Sequence, residues 1–255
     1  MSTEPTQAEL DNTQYSLESI RLYESVFGED FVSPGGHAMA VELITQLQQQ
    51  PGSRVLDVGC GLGGSAFVMA AEFGLKAEGI DLSKNMLSIA QQKSRDYGLD
   101  DSVTFELGDC LLLDRVDQYD AIYSRDVFLH IHDKSRLFSV LYAALKPGGK
   151  ILFTDYCCGD KPWRPAFSDY VRARSYCLHT VTEYAGLIEQ GGFAEVEKTD
   201  LTGRFVEILH DDLATIETLE LPPSTRHELR QSWLGKLERA ESGDHRWGLF
   251  SAFKL

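Results

Sequence analysis

The segment RVLDVGCGLGGSAFVMAAEF, residues 54–73, reads as a short apolar strand, a turn rich in glycine and a helix. Gly59, Gly61 and Gly63 alternate through that turn. Such a turn bends tightly and keeps side chains away from a ligand lying against its backbone. Asp81 closes the next strand, KAEGID at 76–81, a position from which a carboxylate grips two ribose hydroxyls. Alternating glycines alone are a weak signal. In this strand–turn–helix setting, with Asp81 in place, they predict a nucleoside-type cofactor; the competing reading is a tight turn without a ligand. Because Gly64 fills the last place of GxGxxG, the turn also fits the spacing of nicotinamide dinucleotide sites. Asp57, just before the turn, disfavours a pyrophosphate by like charge and suits a cationic amino-acid group.

The alternation continues along the chain. Strands are expected at 54–58, 76–81, 102–109, 119–124 and 150–156, with helices at 64–73, 84–97 and 133–145, the last leaving through the KPGG turn at 146–149. Near-continuous apolar strands separated by helices call for a parallel sheet covered on both faces. Right-handed crossovers make it doubly wound. Ahead of this unit, Ser16 caps an expected helix to Phe27, with Ile20, Tyr23 and Phe27 on one face, followed by the FVSPGG turn at 31–36 and a helix over 37–49. Beyond Tyr156 the regularity lapses, and 157–176 reads as an insertion above the sheet. A helix at 181–190, a strand at 192–201, helices at 203–219 and 224–241, and an edge strand at 246–255 complete the expectation. The fold class is α/β, mainly parallel, with seven strands and an antiparallel strand at the C-terminal edge. Residues 1–36 form a tail and helical lid. Residues 37–255 form the main domain, with a cap around 157–180 and helical elements over 203–241.

Charge narrows the partners. The 255 residues hold 39 acidic and 24 Lys or Arg side chains, a formal charge of −15. Such a surface repels nucleic acid and anionic lipid, so a small anionic ligand needs a local basic pocket. The polar start MSTEPTQAEL lacks an export pattern, and no apolar run is long enough to span a bilayer. Cys60, Cys110, Cys157, Cys158 and Cys177 are odd in number and contain no CxxC pair, which fits reduced thiols in the cytoplasm.

YSRDVFLHIHD at 123–133 carries candidate chemistry. If its middle is helical, Asp126 and His130 stand four apart on one face. Asp126 then orients an imidazole that takes a proton from an ammonium group. A merely capping His130 is the alternative, and His132 reads as structural. Asp126, His130 and His132 together imitate a metal cluster, but the segment suits a substrate edge better and no metal is expected. Tyr156, Arg174, Tyr176 and Lys236 supply two hydroxyls and two cations. Converging, they suit a phosphate. Separately, the cations are surface charges, and spacing does not decide which.

From residue 40 to 156 the chain resembles class I S-adenosylmethionine-dependent methyltransferases. The likeness rests on DVGCGLGG, Asp81, Asp109 in LGDC, Arg125 in YSRD and the KPGG turn. A sharper resemblance covers nearly the whole chain. NTQYSLESIRLYESVFGEDFVSPGG at 12–36, SRDVFLHI at 124–131, TDYC at 154–157, YVRARSYCLHTVTEYA at 170–185 and RWG at 246–248 resemble phosphoethanolamine N-methyltransferases of the compact single-domain type. The resemblance implies a Rossmann-like class I fold, S-adenosylmethionine as cofactor, and N-methylation of phosphoethanolamine and its mono- and dimethyl forms toward phosphocholine for phospholipid synthesis. It implies a cytoplasmic monomer acting without nucleic acid, metal or stable membrane attachment. Tyr15 resembles a lid tyrosine that also orders substrate, and His130 with Asp126 a catalytic dyad. Tyr23, Val32, Ser33, Asp57, Gly59, Gly61, Gly63, Asp81, Leu82, Asp109, Cys110 and Arg125 fall on the donor side. Tyr156, Arg174, Tyr176 and Lys236 fall on the phosphate side. Residues 203–232 and CGDKPWRPAF depart most from the pattern. The rival readings are an N-methyltransferase for another small amine (a glycine derivative, or a late phosphobase only), an O- or C-methyltransferase, and a silent donor-binding protein.

Overall fold

The computed structural model describes Asp11 and residues 16–255. Most of the expected tail, and Tyr15 with it, lies outside the described residues. Two helices come first, α1 (Leu17–Phe27) and α2 (Gly36–Leu47). Ser16 caps α1 by accepting the Ser19 N–H at 3.2 Å, which satisfies one of the amides that a helix start leaves open.

The alternating part follows the predicted order: β1 (Arg54–Val58), α3 (Gly64–Phe73), β2 (Lys76–Asp81), α4 (Lys84–Asp96), β3 (Val103–Leu107), β4 (Tyr119–Arg125), α5 (Lys134–Ala144) and β5 (Leu145–Cys158). Then come α6 (Pro165–Ala173), α7 (Val181–Gln190), β6 (Ala194–Asp200), α8 (Thr202–Thr218), α9 (Pro223–Glu241) and β7 (His245–Phe253). One seven-stranded sheet results, in the order β3-β2-β1-β4-β5-β7-β6. The first five strands are parallel, and β7 is antiparallel to both neighbours. Because strand side chains alternate, Val55 and Leu56 enter different cores. Val55 joins Leu43, Tyr123, Leu152, Phe205 and Trp233 on one side of the sheet. Leu56 joins Ile122, Phe138, Ile151, Phe153 and Phe250 on the other. Among the described residues no helix is long and apolar enough to cross a membrane.

Two expectations need correction. The KPGG segment is not a simple exit turn: pairing with β4 shifts from Tyr119–Leu145 to Ala121–Lys150, so KPGG is an irregular excursion within β5. Its backbone bonds to that of Lys254 in both directions. The C-terminal strand is antiparallel, as expected, but it is not the edge. β6 pairs along its outer side. Burial explains the order. Trp247, Phe250 and Ala252 of β7 are wholly buried, whereas AEVEKTD of β6 is mostly exposed and charged, as an unpaired edge requires. The interior placement of β7 sets Trp247 opposite Tyr156 and His245 opposite Cys158.

The glycine turn is shaped by its neighbours. Gly59 has φ +70°, and a Cβ there would stand 2.2 Å from Val127 Cγ2. Gly63 has φ +86°, and a Cβ there would stand 2.5 Å from Phe105 Cζ. Gly63 therefore serves packing. Gly59→Ala should cost about 1–3 kcal/mol in urea unfolding, from overpacking and left-handed strain. Adding Val127→Ala should restore part of that loss; no recovery would place the strain elsewhere.

Candidate active site

A cavity of about 460 Å³ runs along the carboxyl edge of the sheet, where ligands of open α/β folds bind. Its walls follow the strand order. Asp109 and Cys110 come after β3, Asp81 and Leu82 from the end of β2, Gly59 and Gly61 after β1, Arg125 and Asp126 from the end of β4, and Tyr156 from β5. Tyr23 of α1, with Val32 and Ser33, joins them from the N-terminal segment. His130, Arg174, Tyr176 and Lys236 line the same space.

At the β2 end the Asp81 carboxylate is held in place. Oδ2 accepts the Gly61 N–H at 2.9 Å and Oδ1 accepts the Ser83 N–H at 2.8 Å. Burial pushes its pKa up, and these amides oppose the shift. Asp109 accepts the Leu111 N–H at 2.9 Å and so caps the short 3-10 turn Cys110–Leu112. A Cβ on Gly61 would meet nothing closer than Val32 Cγ2 at 3.5 Å, so the backbone there stays open to a ligand. An oriented carboxylate, a second acid and the apolar walls Leu82, Met86 and Ile131 fit a nucleoside-type cofactor.

Three donor-side expectations change. Gly63 does not line the cavity; it packs on Phe105 and Phe67. Asp57 shares the β1 face of Val55 and lines a small adjoining pocket with Ser65 and Arg125 instead. Burial pushes its carboxyl up to about 7, with Arg125 opposing and Asp81 adding to the rise. Arg125 does reach the cavity, but its guanidinium donates to the carbonyls of Pro34 and Gly36. It ties the Val32–Ser33 turn to the end of β4.

The expected Asp126–His130 bond does not form among the described residues. Asp126 has φ +57°, and residues 128–130 form a 3-10 turn, so the two side chains do not share a helical face. Asp126 Oδ1 accepts from Trp247 Nε1 at 2.7 Å; burial pushes this carboxyl up, and Trp247, Arg125 and the Thr154 hydroxyl oppose the rise. His130 instead sets its ring edge-on to Tyr176, with centroids 5.2 Å apart. Burial, followed by Lys134 and Arg174, drives the imidazole down to about 4, which keeps it neutral with a lone pair available. A buried pair secures this turn. Lys134 Nζ donates to the carbonyls of Phe128 and Ile131. Asp155 accepts from the Leu129 N–H at 3.1 Å and from the Tyr184 hydroxyl at 2.7 Å. His132 is outside the cavity, with Nε2 3.0 Å from the Ser175 carbonyl.

The far end gathers cations. Lys236 Nζ lies 4.1 Å from the centre of the Trp233 ring. Arg174 and Arg239 both approach the Tyr170 ring, at 5.9 and 3.8 Å. Among the described residues no carboxylate oxygen lies within 4.0 Å of a nitrogen of Arg174, Lys236 or Arg239. Burial, with help from Arg174 and Arg239, pulls Lys236 down to about 8; Asp212 and Asp126 oppose it. Three such cations in an acidic protein make an anion site. Sequence reasoning missed Tyr170, Ser232 and Arg239, which line this end. Spacing held a signal for all three. Arg239 is three residues after Lys236, Ser232 four before it, and Tyr170 four before Arg174, so each shares a helical face with a residue already singled out.

Comparison with known proteins places these features in a family. Residues 49–201 match the family model "Methyltransferase domain". The chain is 43% identical, over 95% of its length and 51% of the relative, to phosphoethanolamine N-methyltransferase 3 of Arabidopsis thaliana. It is 33% identical, over 96% of its length and 95% of the relative, to phosphoethanolamine N-methyltransferase of Plasmodium falciparum (isolate 3D7). It spans about half the length of the plant relatives it matches. A solved Haemonchus contortus phosphoethanolamine N-methyltransferase 2, in complex with phosphomonomethylethanolamine and S-adenosylhomocysteine, superposes with a TM-score of 0.92 at 35% identity, covering 96% of this chain and 59% of that one.

The depressed Lys236 gives the anion site a pH signature. Inorganic phosphate is already mostly dianionic at pH 7.5. From there to pH 9.5, its affinity by calorimetry should fall roughly tenfold, as the free protein loses one charge-assisted contact. Lys236→Arg should flatten the profile. An unchanged profile in that variant would move the titration to another group.

Proposed function

Because the chain belongs to the phosphoethanolamine N-methyltransferase family of class I S-adenosylmethionine-dependent methyltransferases, we propose that it methylates the nitrogen of phosphoethanolamine and of its mono- and dimethyl forms, toward phosphocholine and phospholipid headgroups. One observation carries the reading: three cations without carboxylate partners among the described residues share a single cavity with the glycine turn and Asp81.

When bound, S-adenosylmethionine supplies an electrophilic methyl carbon on a sulfonium. In this reading Asp81 holds the ribose hydroxyls, Asp109, Leu82 and Cys110 border the base, and the backbone of Gly59 and Gly61 allows close approach. Arg174, Lys236, Tyr156 and Tyr176 hold the phosphate by charge-assisted hydrogen bonds. The substrate ammonium must give up a proton before its nitrogen becomes a nucleophile. Asp126, which lines the cavity and whose Oδ1 is fixed by Trp247, orients that ammonium. A ring nitrogen of neutral His130 accepts the proton. The bound phosphate assists this step. It sets negative charge against Arg174, one of the cations that depress His130, and so raises the basicity of the imidazole.

The same reading makes residues 1–36 a lid over a domain spanning 37–255, with a cap around 157–180 and helical elements over 203–241. Tyr15, outside the described residues, is assigned to closure and amine ordering by family resemblance. Tyr23, Val32 and Ser33 close the roof against water. The family resemblance makes the enzyme a cytoplasmic monomer, a setting in which Cys60, Cys110, Cys157, Cys158 and Cys177 stay thiols.

A mass-resolved product assay with phosphoethanolamine, its mono- and dimethyl forms and unphosphorylated ethanolamine tests the proposal. Methyl transfer to the phosphobases is expected, and donor binding without transfer to any of them would overturn it. Arg174→Ala should raise KM for phosphoethanolamine about 10- to 100-fold through loss of a charged hydrogen bond. It should scarcely alter the weak reaction of ethanolamine; an equal effect on both would remove the phosphate role. His130→Ala should lower kcat about 10²- to 10⁴-fold, the usual worth of a general base. Turnover near wild type would remove His130 from that role.

A further inference from the structure

We propose that Arg239 is a direct phosphate ligand that sets the preference of this site for a doubly charged phosphate ester over a singly charged carboxylate. The inference rests on the phosphobase reading above and adds a residue that neither the sequence nor the family resemblance singled out.

Arg239 lines the cavity from α9, one turn beyond Lys236. Its guanidinium carbon stands 3.8 Å from the centre of the Tyr170 ring. Stacking on a ring occupies the face of a guanidinium and leaves its N–H edge for an acceptor. Among the described residues no such acceptor is present: Nε is buried without a partner, and no carboxylate lies within 4.0 Å of this side chain. A surface arginine in a chain of −15 has abundant acids to pair with. Arg239 pairs with none of the described acids, and it faces the same space as two other cations.

Tyr170 explains how the cations are held apart yet aimed together. Arg174, at the end of α6, and Arg239, on α9, both bear on its ring. An anion in the cavity therefore meets guanidinium groups brought in by two helices distant in sequence. The charge count follows. Lys236 gives up its proton more readily than an ordinary lysine, because burial and the two arginines weaken its hold on it. Arginine keeps its charge throughout the working range. Arg174 and Arg239 thus supply two permanent positive charges, the match for a phosphate dianion. His245 adds none. It is wholly buried against Tyr156 and Tyr170, with both ring nitrogens unpartnered, and is pushed down to about 3 by burial.

The test uses Arg239→Met, Arg239→Lys and Tyr170→Phe in the full chain. The readouts are phosphoethanolamine kinetics and calorimetric titration with inorganic phosphate, acetate and S-adenosylhomocysteine. Arg239→Met should raise KM for phosphoethanolamine and Kd for phosphate at least tenfold, lower kcat far less, and leave S-adenosylhomocysteine binding within twofold. The phosphate-over-acetate preference should shrink by a similar factor, and Arg239→Lys should recover part of it. Tyr170→Phe keeps the ring and should retain the preference. Unchanged phosphate binding in Arg239→Met, beside a wild type that binds phosphate, overturns this proposal and leaves the phosphobase reading standing. Equal losses in Arg239→Met and Arg239→Lys, with no gain from the retained charge, overturn it as well. A wild type that binds neither phosphate nor phosphoethanolamine overturns the reading beneath it.

Discussion

Holding Arg174, Lys236 and Arg239 together with no described carboxylate among them is the constraint around which the later half of the chain is built. Cations removed from water and set beside one another are costly, and an acid placed directly against them would end their use as an anion site. The fold offsets the cost with aromatic faces. Trp233 lies under Lys236, and Tyr170 lies against both guanidiniums. A carboxylate stands further back. Asp212 on α8 accepts from Trp233 Nε1 at 2.9 Å, and its field supports the Lys236 charge without forming a salt bridge. Helices α8 and α9 therefore act as one unit, in which the ring that Asp212 fixes is the ring that carries the lysine.

The sheet supplies the other half of the arrangement. A parallel sheet delivers the carboxyl ends of its strands along one edge, so the cavity reads across them in spatial rather than sequence order. Asp109, Asp81, Gly59, Asp126 and Tyr156 stand in that sequence from β3 to β5. β7 then contributes from the opposite direction. As an antiparallel neighbour of β5, it brings Trp247 to the level of Tyr156, where its indole N–H reaches Asp126. A parallel strand in that place would not return the chain from α9 so directly. The reversal at β7 links the helix carrying Lys236 and Arg239 to the strand end carrying Asp126.

Elements and end points were legible in the sequence wherever a periodic pattern met a stop signal. Ser16 and Ser83 cap the helices they were read to cap, and the strands at 54–58 and 76–81 have the expected bounds. The convergence of Tyr156, Arg174, Tyr176 and Lys236 was not legible from spacing, because it depends on how three separate elements pack; the family resemblance carried it. The misreadings have local causes. Asp126 adopts a left-handed conformation that its residue type permits but does not announce, and this breaks the helical register assumed for His130. Asp57 was read by its place beside the glycine turn, whereas the alternation of β1 turns it to the face of Val55 and into a different pocket. The final strand was read as an edge because its residues alternate. Its apolar residues Trp247, Leu249, Phe250, Ala252 and Phe253, set against the charged AEVEKTD, were the signal that another strand covers it.

His130 joins the two halves electrically. Its loop is held through main-chain bonds to Lys134 and Asp155, so its position does not depend on the ligand. Its basicity does. Lys134 contributes a fixed positive field from below, already engaged with carbonyl oxygens. Arg174 contributes a field from the substrate side that a phosphate can cancel. Both fields add to burial and make the imidazole a weak base. On the proposed reading, a bound phosphate compensates one field while the other remains. The pocket proposed to take the anion would thereby condition the proposed base at the other end of the substrate, and an amine lacking the phosphate would forfeit both its anchor and that adjustment.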